Sequence, residues 1–396
     1  MKEKVVLAFS GGLDTSYCVK YLSLEKNLEV HSALVNTGGF SPAELAETER
    51  RAYDLGVASH TTLDQVRNYY EQCIRFLVYG NVLKNNTYPL SVSAERVFQA
   101  VAIAEYAQSV GAKYIAHGST GAGNDQVRFD MIFDILVPEI KVITPIRDER
   151  LSREQEIEYL KSKGVQMEWA KAQYSINKGL WGTSVGGKET LNSWDYLPET
   201  AYPSQLSEQG GRMVVLEFEK GQLTGLDGNT YDHPVSAIEA LAELAKPFAI
   251  GRDIHVGDTI IGIKGRVGFE AAAPLIIIKA HHLLEKHVLT KWQQYWKEQL
   301  ANWYGMLLHE GQYLEPVMRN VETFLEDTQA SVTGKVRVQL LPYRFQTLGI
   351  ESEYDMMSAK FGTYGEMNRA WSGDDVKGFT KMLANSSKIH RMVNDA

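Results

Sequence analysis

The stretch from Ser10 to Ser16, with the sequence SGGLDTS, decides the fold of the chain around it. An apolar run, Val5–Phe9, precedes it and predicts a buried parallel strand. Residues 17–22 follow it and predict the first turns of a helix. A strand, a glycine-rich turn and a helix N-terminus form an anion site, because glycine lets the backbone approach phosphate oxygens and the first helical N–H groups point at them.

The residues of this loop indicate which kind of phosphate-binding site it forms. It lacks the lysine of a Walker A motif and carries Asp14, which suits pyrophosphate held with Mg²⁺ between phosphates and a carboxylate. Ser10, Thr15 and Ser16 add hydroxyl donors. The pattern S-G-G-x-D-[ST]-S resembles the PP-loop of ATP pyrophosphatases, which implies that ATP is cut between its α- and β-phosphates. The alternative is an ordinary glycine turn between a strand and a helix.

Length and composition bound the remaining possibilities. A chain of 396 residues predicts two domains, and a net charge of −8 argues against a general nucleic-acid binder without excluding a small basic patch. Cys18 and Cys73 cannot make a disulfide framework or a zinc site, and we expect both to be buried. No signal peptide and no run of ~20 apolar residues is present, so we expect a cytoplasmic protein without a membrane partner.

Strands and helices alternate over residues 1–165 and predict a doubly wound α/β nucleotide-binding domain. The second strand ends near Val35. Ser41–Glu44 then begins a helix with a capping box, and Gly56 ends that helix. Ligands of such sheets lie beyond the carboxyl ends of the strands. We therefore expect the loop at Ser10 and the loop after Val35 to share one crevice.

A second glycine-rich segment, Gly118–Phe129, follows a predicted strand that ends at His117. Asn124 or Asp125 is expected to cap the next helix. Asp125 and Arg128 lie three residues apart and share a helix face, and an arginine can bind a carboxylate bidentately. The position beyond a strand end favours a ligand site; the alternative is a surface ion pair that contributes about 0–1 kcal/mol.

The pattern changes after Gly164, and residues 166–360 predict an α+β domain. Short glycine-punctuated segments occur there, and the alternating runs Met213–Glu219 and Ile260–Ile263 predict antiparallel strands. Residues 332–341 predict a strand at the edge of a pair.

Two helical segments complete the chain. Residues 290–308 predict a helix with aromatic residues on one face, which favours core or a subunit interface. Residues 361–396 predict a C-terminal helical arm, whose last helix starts at Ser372 and which packs on another subunit.

Three segments together resemble the argininosuccinate synthases: Ser10–Ser16, His117–Phe129 and Ile140–Arg147. The pattern H-G-[ST]-T-G-x-G-N-D-Q-V-R-F is highly specific to that family, whereas the PP-loop is shared with other synthetases and with tRNA thiolases. The resemblance extends to about Ser184 and is weaker beyond it. It implies a PP-loop domain followed by a synthetase and multimerisation domain, in a homotetramer.

The resemblance also implies a reaction of arginine biosynthesis. MgATP and citrulline would give a citrullyl-adenylate and pyrophosphate, and the amine of aspartate would then displace AMP to form argininosuccinate. ATP and Mg²⁺ are the implied cofactors, and citrulline and aspartate are the implied small-molecule partners. Two alternatives stay open: the same chemistry on an N-acylated citrulline, or another adenylating PP-loop enzyme such as a tRNA thiolase, which predicts a basic groove and a reactive cysteine pair that this chain does not offer.

The resemblance assigns ligand contacts by matching position, and no metal is assigned to the protein alone. Asp14 is the candidate for Mg²⁺ and pyrophosphate. The ATP-binding residues are Ala8, Phe9, Ser10, Gly11, Gly12, Leu13, Asp14, Thr15, Ser16, Val35 and Gly118. The aspartate-binding residues are Thr120, Asn124 and Asp125, and the citrulline-binding residues are Tyr88, Ser93, Asn124, Arg128, Ser175 and Ser184.

Four positions depart from the family pattern, mostly on the citrulline side. Ala122 stands where the family commonly has Lys, and Asn177 where it usually has Asp. Gly257 aligns with a Glu that contacts citrulline, and Phe269 aligns with a Tyr. The loss of these groups motivates the N-acylated alternative, because an acylated α-nitrogen carries no positive charge to pair with a carboxylate.

Overall fold

A five-stranded parallel sheet forms the centre of the first half of the chain. The structure is a computed structural model that describes residues 2–166, 174–357, 362, 364–366 and 370–395. The strands are β1 (Lys4–Ala8), β2 (Glu29–Asn36), β3 (Ser59–Asp64), β4 (Tyr114–Ala116) and β5 (Lys141–Ile143). They pair in the order β3-β2-β1-β4-β5, and every pairing is parallel.

Helices cover both faces of this sheet, which confirms the doubly wound prediction. They are α1 (Leu13–Lys20), α2 (Pro42–Leu55), α3 (Val66–Tyr69), α4 (Arg75–Tyr79), α5 (Ser91–Ser109), α6 (Asp125–Leu136), α7 (Pro145–Asp148) and α8 (Arg153–Ser162). Val5 and Leu7 of β1 are buried with α1, α2 and α8, while Val6 is buried on the other face with α5. This alternation follows from the period-2 geometry of a strand buried on both sides.

Several local predictions are also confirmed. Ser41 and Glu44 form the expected capping box of α2, and Gly56 ends that helix with a positive φ of 94°. Ser152 forms a second capping box, at α8. Cys18 and Cys73 are both buried and unpaired with each other.

The second half contains two antiparallel sheets. The four-stranded sheet has the order β11-β12-β7-β6, with β6 (Ser175–Gly179), β7 (Gly182–Gly186), β11 (Arg252–Asp258) and β12 (Lys264–Glu270). The five-stranded sheet has the order β10-β9-β8-β13-β14, with β8 (Arg212–Glu219), β9 (Gln222–Leu226), β10 (Asn229–Thr230), β13 (Gly334–Leu341) and β14 (Arg344–Glu351).

Two strand predictions in this half are wrong in detail. Ile260–Ile263 is the turn between β11 and β12, because Gly262 has a φ of +83° and the N–H of Thr259 bonds back to the carbonyl of Ile263. The strand at residues 334–341 lies inside its sheet and pairs with both β8 and β14. Alternation of apolar residues cannot reveal either the hairpin turn or the number of neighbours of a strand.

Helices complete the second half: α9 (Pro234–Ala245), α10 (Ala272–Val288), α11 (Lys291–His309), α12 (Pro316–Asp327), α13 (Gly373–Leu383) and α14 (Asn385–Asn394). Four aromatic side chains of α11 lie outside the core, since Trp292, Tyr295, Trp296 and Trp303 are between 52% and 63% exposed, whereas Tyr304 is fully buried. The tail contains two helices where one was predicted, and neither buries a residue within the described chain.

The two halves share one continuous core. A single buried cluster includes Ala94 of α5 from the first half and Ile277 of α10 from the second. The predicted boundary after residue 165 therefore falls between sheets but not between separate cores, and the boundary at 360/361 lies outside the described residues. No helix in the described part of the chain combines the length and the apolar character needed to cross a bilayer.

Candidate active site

One cleft of about 1010 Å³ lies beyond the carboxyl ends of the parallel strands and is closed on its other side by β6, β7 and the β11–β12 hairpin. It brings together nearly all of the predicted contact residues. Those that line it are Ala8, Phe9, Ser10, Gly12, Leu13, Asp14, Thr15, Val35, Tyr88, Ser93, Gly118, Thr120, Asn124, Asp125, Arg128, Ser175 and Ser184. Gly11 and Ser16 do not line the cleft.

Gly11 and Ser16 instead shape the loop. Gly11 has a φ of +74°, which a residue with a side chain rarely adopts, and its carbonyl accepts a hydrogen bond of 2.7 Å from Nη1 of Arg51. The hydroxyl of Ser16 is fully buried and donates to the carbonyl of Gly12 at 2.7 Å. Thr15 Oγ1 can donate to the same carbonyl at 3.3 Å, so the contact of Ser16 with a phosphate stays a prediction.

The open side of the loop presents backbone and hydroxyl donors. α1 starts at Leu13, so the N–H groups of its first turn lack acceptors within the helix, and Leu13, Asp14 and Thr15 of that turn line the cleft. Ser10 Oγ lies 3.3 Å from Thr15 Oγ1, which places two hydroxyls side by side. This arrangement has the donors that a polyphosphate requires.

Gly118 meets this loop at very close range. A Cβ built on Gly118 would lie 3.1 Å from Cβ of Asp14 and 3.3 Å from the backbone nitrogen of Thr15. The two glycine-rich segments of the sequence thus touch at one point, and the absence of a side chain at position 118 makes the contact possible.

Asp14 has a second carboxyl group, that of Glu156, in its surroundings. Burial raises the pKa of Asp14, against the effects of Glu156 and Arg153. Burial and the negative charge of Asp14 raise the pKa of Glu156 to about 8. Oε2 of Glu156 is buried without a hydrogen-bond partner in the described structure. A divalent cation at Asp14 would stabilise this crowded carboxyl pair, so the donor set fits Mg²⁺ shared with phosphates.

Asp125 is held between two arginines, Arg96 and Arg128, that also line the cleft. It accepts from Nε of Arg96 at 3.1 Å and from Nη1 of Arg128 at 3.0 Å. Burial opposes ionisation, but the charges of these arginines hold the pKa of Asp125 below its ordinary value. The Arg128 side chain is only 4% exposed and the Asp125 side chain 39% exposed, so the pair is partly buried in the wall of the cleft and differs from the surface ion pair considered from the sequence.

The guanidinium of Arg128 does not have two adjacent N–H groups free to bind a carboxylate bidentately. Its Nε and Nη2 both donate to the backbone carbonyl of His309, at 3.0 and 2.8 Å. Its Nη1 donates to Asp125. The bidentate binding predicted from the sequence is therefore corrected: the guanidinium supplies its charge and at most a remaining N–H of Nη1.

Asn124 occupies the predicted N-cap position of α6 but does not cap it with its side chain. Its Oδ1 accepts a hydrogen bond of 2.8 Å from the backbone nitrogen of Ile260. The side chain therefore ties the second glycine-rich segment to the β11–β12 hairpin, and it leaves the amide nitrogen as the donor toward the cleft.

Gln126 and Asp130 hold the glycine-rich segment in place. Nε2 of Gln126 donates to the carbonyls of Gly121 and Gly123, at 2.7 and 3.2 Å. Asp130 accepts from His117 at 2.9 Å and also pairs with Arg147. Ala122 is exposed beside these contacts and does not line the cleft.

Three rings pack together beside the residues predicted to bind citrulline. The ring centroid of Tyr88 lies 5.0 Å from that of His255 and 5.3 Å from that of Phe269. The hydroxyl of Tyr88 accepts from the backbone nitrogen of Val92 at 3.0 Å, so it caps α5. Phe269 is fully buried and does not line the cleft.

His255 also explains the glycine at position 257. A Cβ on Gly257 would lie 2.8 Å from Nε2 of His255. The imidazole occupies the space that a side chain at 257 would need. Asn177 is likewise engaged, because its Oδ1 accepts from Arg96 at 2.9 Å and its Nδ2 lies 3.4 Å from Oγ of Ser184.

Three polar residues that line the cleft were not predicted from the sequence: Arg96, His255 and His309. Arg96 lies three residues after Ser93 on α5, so the helical spacing was a signal that could have found it. His255 and His309 are distant in sequence from the motifs, and no pattern in the sequence places them at the cleft.

Comparison with known proteins assigns the chain as a whole. Residues 4–166 match the family description "Arginosuccinate synthase N-terminal HUP domain", and residues 174–390 match "Arginosuccinate synthase C-terminal domain". The argininosuccinate synthase of Dictyoglomus thermophilum is 34% identical over 99% of this chain and 98% of its own length. That of Methanocaldococcus jannaschii is 35% identical over 92% of this chain and 93% of its own. Taken with the loop and cleft described above, these matches show that the chain belongs to the argininosuccinate synthase family.

Proposed function

We propose that this chain ligates citrulline and aspartate to argininosuccinate at the expense of ATP, which becomes AMP and pyrophosphate. One observation carries the proposal beyond family membership: the SGGLDTS loop and the Asp125–Arg128 pair line the same cleft. A nucleotide bound at the loop and two amino acids bound near the pair would be within reach of one another. Positioning and charge neutralisation then supply most of the catalysis.

The first step would join the acceptor to the nucleotide. The ureido oxygen of citrulline attacks the α-phosphorus of ATP, the bond to the β-phosphate oxygen breaks, and pyrophosphate leaves. The backbone donors of the loop, with Ser10 and Thr15, would hold the departing phosphates. Gly118 would let the nucleotide lie against the backbone of the loop.

In the second step the neutral amine of aspartate would attack the activated ureido carbon, the bond from that carbon to the AMP oxygen would break, and the new C–N nitrogen would lose its proton to solvent as AMP leaves. We assign Thr120, Asn124 and Asp125 to aspartate, and Tyr88, Ser93, Asn124, Arg128, Ser175 and Ser184 to citrulline. Arg96 would fix the carboxylate of Asp125, because it already donates to it. The ionised state of Asp125 suits an ammonium partner, since the neighbouring arginines keep its pKa low.

Mg²⁺ belongs to the proposal as the neutralising partner of the phosphates. Asp14 would hold it together with phosphate oxygens, and the ion would stabilise the negative charge that develops on the leaving pyrophosphate. The hydrogen-bond donors for the phosphates come from the backbone and hydroxyl groups of the loop.

Membership of the family does not favour the two alternatives that the sequence left open, an N-acylated acceptor or a tRNA thiolase. The quaternary structure is part of our proposal. A homotetramer would cover the exposed aromatic face of α11 and the apolar residues of α13 and α14, among them Phe379 and Met392.

The test is pyrophosphate release from MgATP and citrulline, with and without aspartate, followed by mass detection of the product. We expect pyrophosphate to be released with citrulline and argininosuccinate to form only when aspartate is added. Absence of product with citrulline would contradict the proposal. Product from N-acetylcitrulline alone would move the acceptor to the acylated alternative.

A further inference from the structure

We propose that His309 is a positioning residue of the acceptor subsite. Its imidazole accepts a hydrogen bond from the Ser93 hydroxyl, so that Ser93 can act toward the ligand only as a hydrogen-bond acceptor. The inference rests on the proposed function, because it takes Ser93 as a contact of citrulline. It goes beyond the proposed function by assigning which partner donates and which accepts in that contact, and by naming His309 as the residue that determines these roles.

The contacts of the imidazole determine its tautomer. Nδ1 of His309 lies 3.5 Å from Nη2 of Arg128 and 3.3 Å from Oγ of Ser93. A guanidinium can only donate hydrogen bonds. A proton on Nδ1 would therefore face another donor, so we assign the lone pair to Nδ1 and the ring proton to Nε2, which is buried without a hydrogen-bond partner in the described structure.

The polarity of Ser93 follows from this tautomer. Its hydroxyl proton rotates to the nearest acceptor, and in the described structure Oγ of Ser93 has one hydrogen-bond partner, Nδ1 of His309. The proton is thus committed and Oγ offers only lone pairs. Ser93 lines the cleft, so it would receive an N–H of the acceptor, from its ammonium or ureido group, rather than a carboxylate oxygen.

The surroundings keep this arrangement stable. Ser93 and His309 are 4% and 7% exposed, so bulk water does not compete for the bond. Burial, and then the positive charges of Arg128 and Lys84, lower the pKa of His309 to about 3, although the backbone of Asp258 opposes the shift. The neutral ring therefore accepts throughout the neutral pH range.

A double-mutant cycle tests the inference, with the KM for citrulline as the measured quantity. The variants are Ser93→Ala, His309→Leu and the two combined. We expect His309→Leu to raise this KM roughly fivefold to tenfold, the effect of one hydrogen bond, with kcat and the KM for ATP within about twofold. In the Ser93→Ala background the same change should have almost no further effect, because the bond is already gone.

Two further variants separate this role from a merely structural one. His309→Asn offers Oδ1 near the place of Nδ1 and should restore the KM to within about threefold of the wild type. His255→Leu alters the neighbouring imidazole, which lies 6.5 Å from His309 between ring centroids and has no bond to Ser93, so its effect should multiply with that of Ser93→Ala. If His309→Leu does not fold, His309→Phe takes its place in the cycle.

Three outcomes would overturn the inference. One is that the effects of Ser93→Ala and His309→Leu on the KM for citrulline multiply in the double variant. The others are an unchanged KM in His309→Leu, and a KM in His309→Asn that is no lower than in His309→Leu. The wild type distinguishes this failure from that of the proposed function. If it forms argininosuccinate while the cycle shows no coupling, only the inference fails. If it forms none from citrulline, both fail.

Discussion

Gly118 lies so close to Asp14 that a Cβ at position 118 would be 3.1 Å from Cβ of Asp14. This contact joins the end of β4 to the first turn of α1, which is where the proposed nucleotide would bind. The spacing of the two glycine-rich segments along the sequence is more than 100 residues, yet they form one surface.

Gly118→Ala should therefore displace the phosphate-binding loop. We expect the KM for ATP to rise about tenfold or more, because overpacking a tight contact commonly costs about 1–3 kcal/mol. The KM for citrulline should change less. Gly349→Ala is the matched control, since a Cβ there meets open space, and an equal effect of both variants would contradict the explanation.

Arg128→Lys should disable the acceptor end of the cleft. An ammonium cannot reproduce the three guanidinium bonds to His309 and Asp125, and it would leave buried acceptors unpaired. We expect kcat/KM for citrulline to fall about 10-fold to 100-fold, with the KM for ATP within about threefold. Arg75→Lys, outside the cleft, is the control and should retain activity.

Asp14→Asn tests the assignment of Mg²⁺. Loss of the carboxylate should abolish pyrophosphate release at ordinary Mg²⁺, with partial recovery at much higher Mg²⁺, because phosphates alone then bind the ion. Titration of Mg²⁺ against the rate of release measures this. The exposed Asp134 of α6 provides a control through Asp134→Asn, and equal activity of both variants would make the Asp14 assignment wrong.

Glu156 should make the stability of the fold depend on pH. Its pKa of about 8 in the folded protein exceeds the ordinary value of 4.5, so the folded state binds more protons than the unfolded state between these values. The contribution of Glu156 to the free energy of unfolding should therefore fall as the pH rises through this window, whereas buried histidines with a lowered pKa, such as His309, contribute in the opposite direction below about pH 6.5.

The Glu156→Gln variant should remove that dependence. Its melting temperature should match the wild type near pH 5 and exceed it by about 2 °C or more near pH 8.5. A difference in melting temperature between the variant and the wild type that stays constant from pH 5 to pH 8.5 would contradict the buried protonated carboxyl.

The exposed face of α11 should be a subunit contact. Trp296 is 58% exposed and lies next to Tyr295, so Trp296→Lys should weaken association without affecting the monomer core. Light scattering after size-exclusion chromatography is expected to show a tetramer for the wild type and a smaller species for the variant. A wild-type monomer would contradict the proposed assembly.

The parallel sheet and its loop could be predicted because their signals are local. Val5–Phe9, the glycines that follow and the capping box at Ser41 are consecutive in sequence, and each acts through bonds within a few residues. The helical face shared by Asp125 and Arg128 is equally local. The turn at Ile260–Ile263 was mistaken for a strand because an apolar run alone does not specify the backbone dihedral angles.

By itself, the sequence determined the nucleotide-binding loop, the doubly wound sheet and the family of the chain. Only the tertiary structure decided how the ligand-facing groups are used. The carbonyl of His309 occupies one edge of Arg128, and the ring of His255 stacks on that of Tyr88. These contacts join residues up to 181 positions apart, and packing of the second half against the parallel sheet brings them together, which no local periodicity encodes.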